Sequence, residues 1–281
     1  MKQLFEPLRI RDILVENRIC VPPMVCFHWS AGKGIVSDKH VAHYAKMAQG
    51  KPGLIIQEAT CVSKEGRLHE SQLGIWADSH IPGLQRIVEA VHREGCPIFL
   101  QLHHAGIVGI AQDPLCPDTY ELENGVIGKK MDIEEIKRVQ NAFILAGRRA
   151  FEAGYDGVEL HGCHRYLLCQ FLNRNINKRA DIYGQQPELF AIEILEGIRK
   201  VVSDNFAIGI RLGAFEPLLQ DGLKHAHAFE EQGIDFLDIS YGFVSKNPGG
   251  LDIEVPEAFP YKDVVYAAGE FKKHCNVPVL R

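Results

Sequence analysis

The 281-residue sequence lacks the features that mark several large classes of protein. Its eight cysteines include no CxxC pair, which argues against a zinc ribbon, an iron-sulfur cluster or a redox dithiol. No uninterrupted apolar run approaches the roughly 18 residues of a membrane span, and the first residues, MKQLFEPLRIRD, lack the apolar core of a signal peptide. We therefore expect a cytoplasmic protein with no membrane partner and with mostly buried, reduced thiols.

The charge balance argues against another class of partner. Thirty-one Lys and Arg residues against 36 Asp and Glu residues give a net charge of -5, and no basic block is interleaved with aromatic residues. Nucleic acid is therefore not expected as a partner. The sequence also lacks internal repeats and low-complexity linkers, and 46% of its residues are hydrophobic. These features predict one domain over residues 1–281 with a large core.

What the sequence does contain is an alternation of short apolar runs with longer segments of helical periodicity. This order predicts parallel strands joined by crossover helices. The predicted strands span residues 18–25, 53–60, 97–104, 157–162, 206–213, 235–240 and 277–280. The predicted helices span residues 38–49, 80–95, 132–154, 187–203, 220–232 and 262–274. Because no GxGxxG turn follows the first strand, an α/β fold of the (β/α)8 TIM-barrel type fits better than a doubly wound open sheet.

The predicted barrel is one strand short of eight. The sequence ends at Arg281, directly after the seventh predicted strand. We therefore expect the eighth strand and its flanking helices to be absent from this chain. Such an open barrel would leave two unpaired strand edges.

Polar residues collect at the carboxyl ends of the predicted strands, the face on which TIM barrels place their active sites. They are Glu58, Gln101, His103, His104, His161, His164, Arg211 and Ser240. Arg211 would be costly to bury without an anionic partner, such as a carboxylate, a phosphate or a reduced flavin. An ion pair with Glu58 or Glu159 is the structural alternative. Gln101 offers an amide donor and acceptor that suit an imide-like edge, and a satisfied interior glutamine is the equal alternative.

The segment VELHGCHRYLLCQ, residues 158–170, allows three interpretations. His161 and His164 are spaced i, i+3, so a helical turn would bring both imidazoles to one point, where they could polarise a carbonyl while Tyr166 supplies a proton. The same pair could bind a metal ion with Glu159 or Cys169 as the third ligand. Alternatively, the histidines are core residues bonded to the backbone. The residues alone leave all three open.

Taken together, the motifs of the chain resemble those of the old yellow enzyme family, the NADH:flavin oxidoreductases and ene reductases. The resemblance runs in order through LFEPLRIRDILVENRICVPPM, HYAKMAQGKPGLIIQEATCVSKEGR, LQLHHAG, GYDGVELHGCHRYLLCQFL, NKRADIYG, IRLG and GIDFLDIS. It implies an FMN-binding (β/α)8 barrel that passes a hydride from NADH or NADPH through the flavin to the C=C bond of a small α,β-unsaturated carbonyl compound. A homo-oligomer is compatible with the sequence, which does not specify the number of subunits.

The resemblance also implies roles for individual positions. The flavin would be held by Pro23, Met24, Ala59, Gln101, His161 and Arg211. The substrate would contact Phe27, and its carbonyl oxygen would be held by His161 and His164. Tyr166 would protonate the substrate carbon. No metal ion is expected in that site.

Several positions depart from the family pattern. Arg165 replaces a glycine between the second histidine and the tyrosine, apolar residues replace arginines within residues 189–192, and the FMN phosphate residues at the ends of strands seven and eight have no counterpart. These departures support an alternative function, a non-catalytic or truncated relative that binds flavin weakly or serves as a subunit. A metal-dependent lyase or hydrolase that uses His161 and His164 is a second alternative.

Overall fold

The computed structural model describes residues 2–30, 32–242 and 261–281. The strands of this part of the chain are β1 (Leu8–Ile10), β2 (Ile13–Val15), β3 (Cys20–Val21), β4 (Leu54–Cys61), β5 (Ile98–His103), β6 (Leu115–Cys116), β7 (Tyr120–Glu121), β8 (Ile127–Lys130), β9 (Gly157–Gly162), β10 (Ala207–Gly213), β11 (Phe236–Ser240) and β12 (Val279–Leu280). Seven of them form one sheet in the order β3-β4-β5-β9-β10-β11-β12, and every neighbouring pair is parallel. The seven predicted strands are therefore confirmed.

Helices alternate with these strands along the chain. They are α1 (Asp38–Gln49), α2 (Ile81–His92), α3 (Ile133–Glu152), α4 (Leu167–Leu172), α5 (Ile182–Gln185), α6 (Leu189–Arg199), α7 (Leu219–Glu231) and α8 (Asp263–His274). The predicted cap of α3 is confirmed, because Asp132 accepts the backbone N–H of Glu135 (2.7 Å) and Glu135 accepts that of Asp132 (3.0 Å). The helix ends before Gly154, whose positive φ of 89° suits glycine.

The sheet curls into an incomplete barrel whose interior is apolar at the amino ends of the strands. We call this cluster the apolar floor; its buried members are Ile10, Val15, Leu54, Ile56, Phe99, Ala207 and Phe236. Cys20 on the first strand and Leu280 on the last pack against it, so both edges of the sheet meet the same cluster. The antiparallel hairpin β1–β2 contributes Ile10 and Val15 and closes this end of the barrel.

Two residues further along the same strands, the interior becomes polar, since alternate residues of a strand share a face. We call this set the polar rim; it consists of Gln101, His103, Glu159, His161, Arg211, Asp238 and Ser240, all buried. The register places Gln101 beside Glu159 and Arg211 between His161 and Asp238. These residues lie toward the carboxyl ends of the strands, the face predicted to carry the active site.

The structure differs from the prediction in several local elements. The strand predicted over residues 18–25 spans only Cys20–Val21, because Pro22 and Pro23 have no N–H to donate to a sheet. The hairpin β1–β2, the small sheet β6-β8-β7 and the short helices α4 and α5 were not predicted.

The two edge strands of the incomplete barrel are β3 and β12. Near them lies a cavity of about 280 Å³, lined by Cys20, Leu54, Val279 and Leu280 among others. Within the described residues, this sheet has seven strands and no eighth strand pairs with either edge. Among the residues that the structure describes, no helix is both long and apolar enough to cross a membrane.

Candidate active site

The histidine pair is positioned by a tight turn after β9, not by a helix. His161 is the fifth residue of β9, and the chain then turns through His164 and Arg165, whose φ angles of 55° and 70° are both left-handed. Tyr166 ends the turn as the N-cap of α4, and its N–H donates to the carbonyl of Cys163 (3.2 Å). The helical turn assumed for the i, i+3 spacing is therefore wrong, although the two side chains still converge.

Four aromatic rings meet at this point. The ring centroid of His161 lies 5.3 Å from that of His164 and 4.6 Å from that of Tyr166. The ring of His103, from β5, lies 4.3 Å from that of Tyr166 and 5.4 Å from that of His161. The structure thus brings together the three predicted catalytic residues and places the ring of His103 against two of them. His104, the next residue, instead accepts the N–H of Gly106 (3.1 Å).

All three clustered histidines are held in the neutral form. Burial is the main cause, and it lowers the pKa of His103 to about 3 and that of His164 to about 4. The pKa of His161 is lowered well below its usual value by burial and then by the neighbouring His103 and His164. A neutral imidazole has one N–H donor and one acceptor nitrogen. At neutral pH these side chains therefore act as hydrogen-bond donors without a formal charge.

The hydrogen bonds around His103 fix its tautomer. The backbone N–H of Leu68 donates to Oε1 of Gln72 (2.8 Å), so Nε2 of Gln72 is the end that donates to the carbonyl of Ala59 (2.9 Å) and to Nδ1 of His103 (3.1 Å). Nδ1 of His103 is thereby an acceptor, and its proton is on Nε2. No sequence motif marks Gln72, which lies in an irregular segment after β4.

His164 is oriented by a different strand. Its Nε2 lies 2.6 Å from Oγ of Ser240, at the carboxyl end of β11, and its backbone N–H donates to the carbonyl of Tyr241 (3.1 Å). Ser240 was among the strand-end polar residues singled out in the sequence. The turn after β9 is therefore tied to the end of β11.

The middle of the polar rim contains two buried pairs. Nε2 of Gln101 donates to Oε1 of Glu159 (2.7 Å), and Nε of Arg211 forms an ion pair with Oδ2 of Asp238 (3.0 Å). Arg211 was expected to pair with Glu58 or Glu159 if it had a structural partner, and that expectation is wrong because Asp238 is its register neighbour on β11. Burial raises the pKa of Glu159 well above its usual range, with a further contribution from Asp238, and this favours the protonated form of the carboxyl group.

The segment after β3 is anchored to the barrel by a buried carboxyl group. Glu58 accepts the N–H of Cys26 (2.8 Å) and the hydroxyl proton of Tyr44 (3.2 Å). Burial raises the pKa of Glu58 to about 7, against the opposing effect of these hydrogen bonds. Phe27 packs on His69, with ring centroids 4.9 Å apart.

The remaining predicted flavin residues differ in exposure. Pro23 and Ala59 are buried, and the Ala59 carbonyl accepts from Gln72. Met24 is 66% exposed and is not brought into the cluster of rings. The flavin roles of Pro23, Met24 and Ala59 stay predictions.

One departure from the family pattern is a matter of core packing. Phe190, one of the apolar residues that replace arginines of the family pattern, is fully buried and stacks face to face on Phe171 at a centroid distance of 4.0 Å. This pair joins α6 to α4, the helix that follows the histidine turn. Phe190 therefore stabilises the packing of α6 against α4 next to the site.

The sequence pattern of the NADH:flavin oxidoreductase / NADH oxidase family matches residues 3–242. The chain belongs to this family. It is 36% identical over 249 residues to an NADPH dehydrogenase from Geobacillus sp. (strain WCH70), a match that covers 86% of this chain and 73% of that protein.

Solved structures agree with the barrel assignment. A 2-naphthoyl-CoA reductase in complex with 2-naphthoyl-CoA superposes with a TM-score of 0.88 and 26% identity over 99% of this chain, which spans only 46% of that protein. The old yellow enzyme homologue from Zymomonas mobilis superposes with a TM-score of 0.80 at 24% identity, covering 99% of this chain and 81% of that one. Membership of this family makes FMN the cofactor and NADH or NADPH the reductant.

The polar rim fits the ring system of FMN. Oε2 of Glu159 and Nε2 of His103 are buried and have no hydrogen-bond partner within the described part of the chain. Buried polar atoms are nearly always bonded, so two such atoms in one barrel mouth indicate a polar ligand. The flavin pyrimidine edge carries both donors and acceptors, and Gln101, Glu159 and Arg211 are the residues that would hold it.

Proposed function

We propose that this chain reduces the C=C bond of α,β-unsaturated carbonyl compounds, with FMN as cofactor and NADH or NADPH as reductant. The observation that carries the proposal is the cluster of neutral His161 and His164 beside Tyr166 at the barrel mouth. When bound, FMN supplies the hydride transfer from the nicotinamide to the alkene. The residues of the chain must then bind the carbonyl oxygen, orient the alkene and deliver a proton.

The histidine pair is suited to the carbonyl oxygen. As the β-carbon accepts a hydride, negative charge develops on that oxygen, and N–H donors placed there in a site of low dielectric stabilise it. Because the lowered pKa values keep His161 and His164 neutral, their N–H groups are available without the cost of burying two positive charges. Ser240 holds one of these rings in place.

Tyr166 is suited to deliver the proton. Burial raises the pKa of its phenol to about 12, so the group carries its proton throughout the neutral range. Hydride addition at the β-carbon and proton transfer from Tyr166 to the α-carbon together complete the reduced product. The side chain of Tyr166 is only partly buried, so solvent can return the proton.

Arg165 supports a substrate with an anionic extension. It lines a cavity of about 480 Å³ together with Ile107, Gly109 and Asn124, directly next to Tyr166 in the chain. A guanidinium group there would favour a carboxylate or a phosphate. The similarity to a reductase that binds 2-naphthoyl-CoA points in the same direction, and we therefore include coenzyme A thioesters in the proposed substrate class.

The experiment is a visible spectrum followed through two additions. The protein is incubated with FMN, desalted, reduced anaerobically with NADPH, and then mixed with 2-cyclohexen-1-one or crotonyl-CoA. We expect flavin absorbance that NADPH bleaches and that an unsaturated carbonyl restores. Protein that stays colourless after FMN treatment would favour the non-catalytic alternative. Flavin that NADPH bleaches but neither substrate restores would contradict alkene reduction.

A further inference from the structure

A third imidazole at the barrel mouth has an N–H group that the proposed function does not use. His103 is the last residue of β5, and its ring contacts those of Tyr166 and His161 at centroid distances of 4.3 Å and 5.4 Å. Its proton is on Nε2, because Nδ1 accepts from Gln72. Nε2 is buried and has no hydrogen-bond partner in the part of the chain that the structure describes. A buried donor of this kind indicates an acceptor that a ligand supplies.

Gln72 cannot reverse this arrangement without losing hydrogen bonds. Both ends of its amide are held by the backbone, since Oε1 accepts the N–H of Leu68 (2.8 Å) and Nε2 donates to the carbonyl of Ala59 (2.9 Å). Turning the amide over would place its oxygen against that carbonyl and its NH2 group against that N–H. Because Gln72 is fully buried, unpaired groups there are costly. Gln72 therefore offers His103 a donor and fixes its tautomer.

The position of His103 indicates the substrate, not the flavin, as the acceptor. Alternate residues of a strand share a face, so His103 follows Gln101 on the interior face of β5, one step nearer the carboxyl end. Gln101 is among the residues that would hold the pyrimidine edge of the flavin. The ring of His103 instead packs on Tyr166, the proposed proton donor to the substrate carbon. The free N–H group therefore lies beside the residues that contact the substrate.

The substrate must offer this N–H group a second oxygen. A carbonyl oxygen has two lone pairs, and in the proposed function His161 and His164 each donate to one of them. A third donor at the same site therefore needs another acceptor. Burial lowers the pKa of His103 to about 3, so the imidazole is neutral and its N–H suits a carbonyl or ester oxygen.

We propose that His103 is a specificity-determining residue that donates its Nε2 proton in a hydrogen bond to a second oxygen of the substrate, and that Gln72 is the positioning residue that fixes its tautomer. The favoured substrates are unsaturated carbonyl compounds with another carbonyl or ester group, such as enediones and unsaturated keto esters. The proposal rests on the proposed function for the placement of the first carbonyl oxygen. An analogue without the second oxygen leaves a buried donor unpaired and therefore binds more weakly.

Four variants separate the parts of this arrangement. In His103→Asn, the amide reaches the position of Nδ1 and can accept from Gln72, but no donor remains at the position of Nε2. In His103→Gln, the longer amide keeps a donor there. Gln72→Met removes the donor to Nδ1 at a similar side-chain length. His104→Asn is the matched control, because His104 is equally buried, accepts the N–H of Gly106 through Nδ1, and lies outside the cluster of four rings.

The test measures binding to FMN-loaded protein with the flavin oxidised, so that no hydride is available and no reaction occurs. The ligands are methyl trans-4-oxo-2-pentenoate, which has a second carbonyl group, and trans-3-hexen-2-one, which has none. Changes in flavin absorbance give the dissociation constants. We expect the preference of the wild type for the keto ester to fall at least about 10-fold in His103→Asn and Gln72→Met. It should stay within about three-fold of wild type in His103→Gln and His104→Asn.

Heteronuclear NMR of the histidine ring nitrogens reports the tautomer directly. We expect the His103 signals, identified by their absence in His103→Asn, to show a protonated Nε2 in the wild type and a loss of this single tautomer in Gln72→Met. Thermal unfolding shows which variants fold, and the two His103 variants decide the matter if Gln72→Met does not.

The proposal is overturned by a proton on Nδ1 of His103 in the wild type, by an unchanged preference in His103→Asn, or by an equal loss of preference in His104→Asn. Weaker FMN binding in His103→Asn with the preference intact would also overturn it, because the donor would then serve the flavin. Neither measurement involves alkene reduction, so failure here and failure of the proposed function give different results.

Discussion

The two ends of the barrel interior differ in almost every physical property, although the same strands build both. At the apolar floor, buried side chains such as Phe99 and Phe236 pack ring to ring, with centroids 5.4 Å apart. At the polar rim, Glu159 and His103 each keep a buried polar atom without a hydrogen-bond partner in the described residues, and Arg211 is paired with Asp238. The difference teaches that the floor stabilises the barrel whereas the rim is arranged for a ligand.

The buried side chains at the two ends contribute to the free energy of folding with opposite signs. Burial of a large apolar side chain contributes roughly 1.5–3 kcal/mol to stability. Burial of a polar or charged group without full compensation costs stability, so residues such as Glu159 are kept for what they bind. Changes at the floor should therefore alter unfolding, and changes at the rim should alter chemistry.

The largest expected effect is a loss of stability from the floor. Phe236→Ala removes a fully buried ring that packs on Phe99, and we expect about 3–5 kcal/mol loss in the free energy of unfolding because a cavity remains. Urea unfolding of the variant and the wild type measures this loss. A loss below about 1 kcal/mol would show that the floor is not the stabilising end.

The next largest expected effect is a pH dependence of stability caused by the buried carboxyl group of Glu58. The pKa of Glu58 is raised to about 7 in the folded state from 4.5, so between these values the folded protein binds more protons than the unfolded chain. Stability from this group is therefore full below about pH 4.5 and is lost as the pH rises through 7. At about 1.4 kcal/mol per pKa unit, the complete loss is about 3.5 kcal/mol.

Glu58→Gln should remove this dependence. We expect the stability of the variant relative to wild type to be about 2.5 kcal/mol higher at pH 8 than at pH 5. Urea unfolding of the flavin-free proteins at the two pH values measures the difference. Equal relative stabilities at both values would mean that Glu58 titrates normally.

The smallest effect separates backbone from side chain in the histidine turn. Arg165 has a φ of 70°, which glycine adopts freely and other residues adopt at a cost of about 1–2 kcal/mol. Arg165→Gly and Arg165→Ala both remove the side chain, so their difference reports the backbone alone. We expect the glycine variant to be about 1 kcal/mol more stable than the alanine variant and therefore to melt at a higher temperature. An alanine variant of equal or greater stability would contradict the left-handed assignment.

The seven strands of the main sheet and the longer helices could be predicted from the sequence, because each has a clear hydrophobic pattern. The hairpin β1–β2 was missed because its strands are three residues long and its turn places Arg11, not glycine or asparagine, at a positive φ of 52°. The strand predicted over residues 18–25 was too long, because two prolines after Val21 cannot donate hydrogen bonds to the sheet.

The candidate site was predictable only in part. Motif resemblance found His161, His164 and Tyr166, which the structure places together. It could not find Gln72, whose role depends on a contact with a distant strand, or Asp238, which pairs with Arg211 through strand register. Such contacts are set by the packing of segments far apart in the chain, and local sequence carries no signal for them.

The most direct test of alkene chemistry at the polar rim changes Tyr166, which packs on His103 and His161 of the rim. It is anaerobic stopped-flow absorbance of Tyr166→Phe with FMN bound. Because the phenol is the proposed proton donor, we expect oxidation of the reduced flavin by 2-cyclohexen-1-one to slow by about 10²–10⁴-fold, while flavin reduction by NADPH stays within a factor of about two. The free energy of unfolding should change by less than about 1 kcal/mol. Equal slowing of both half-reactions, or no slowing of the oxidation by enone, would contradict the account.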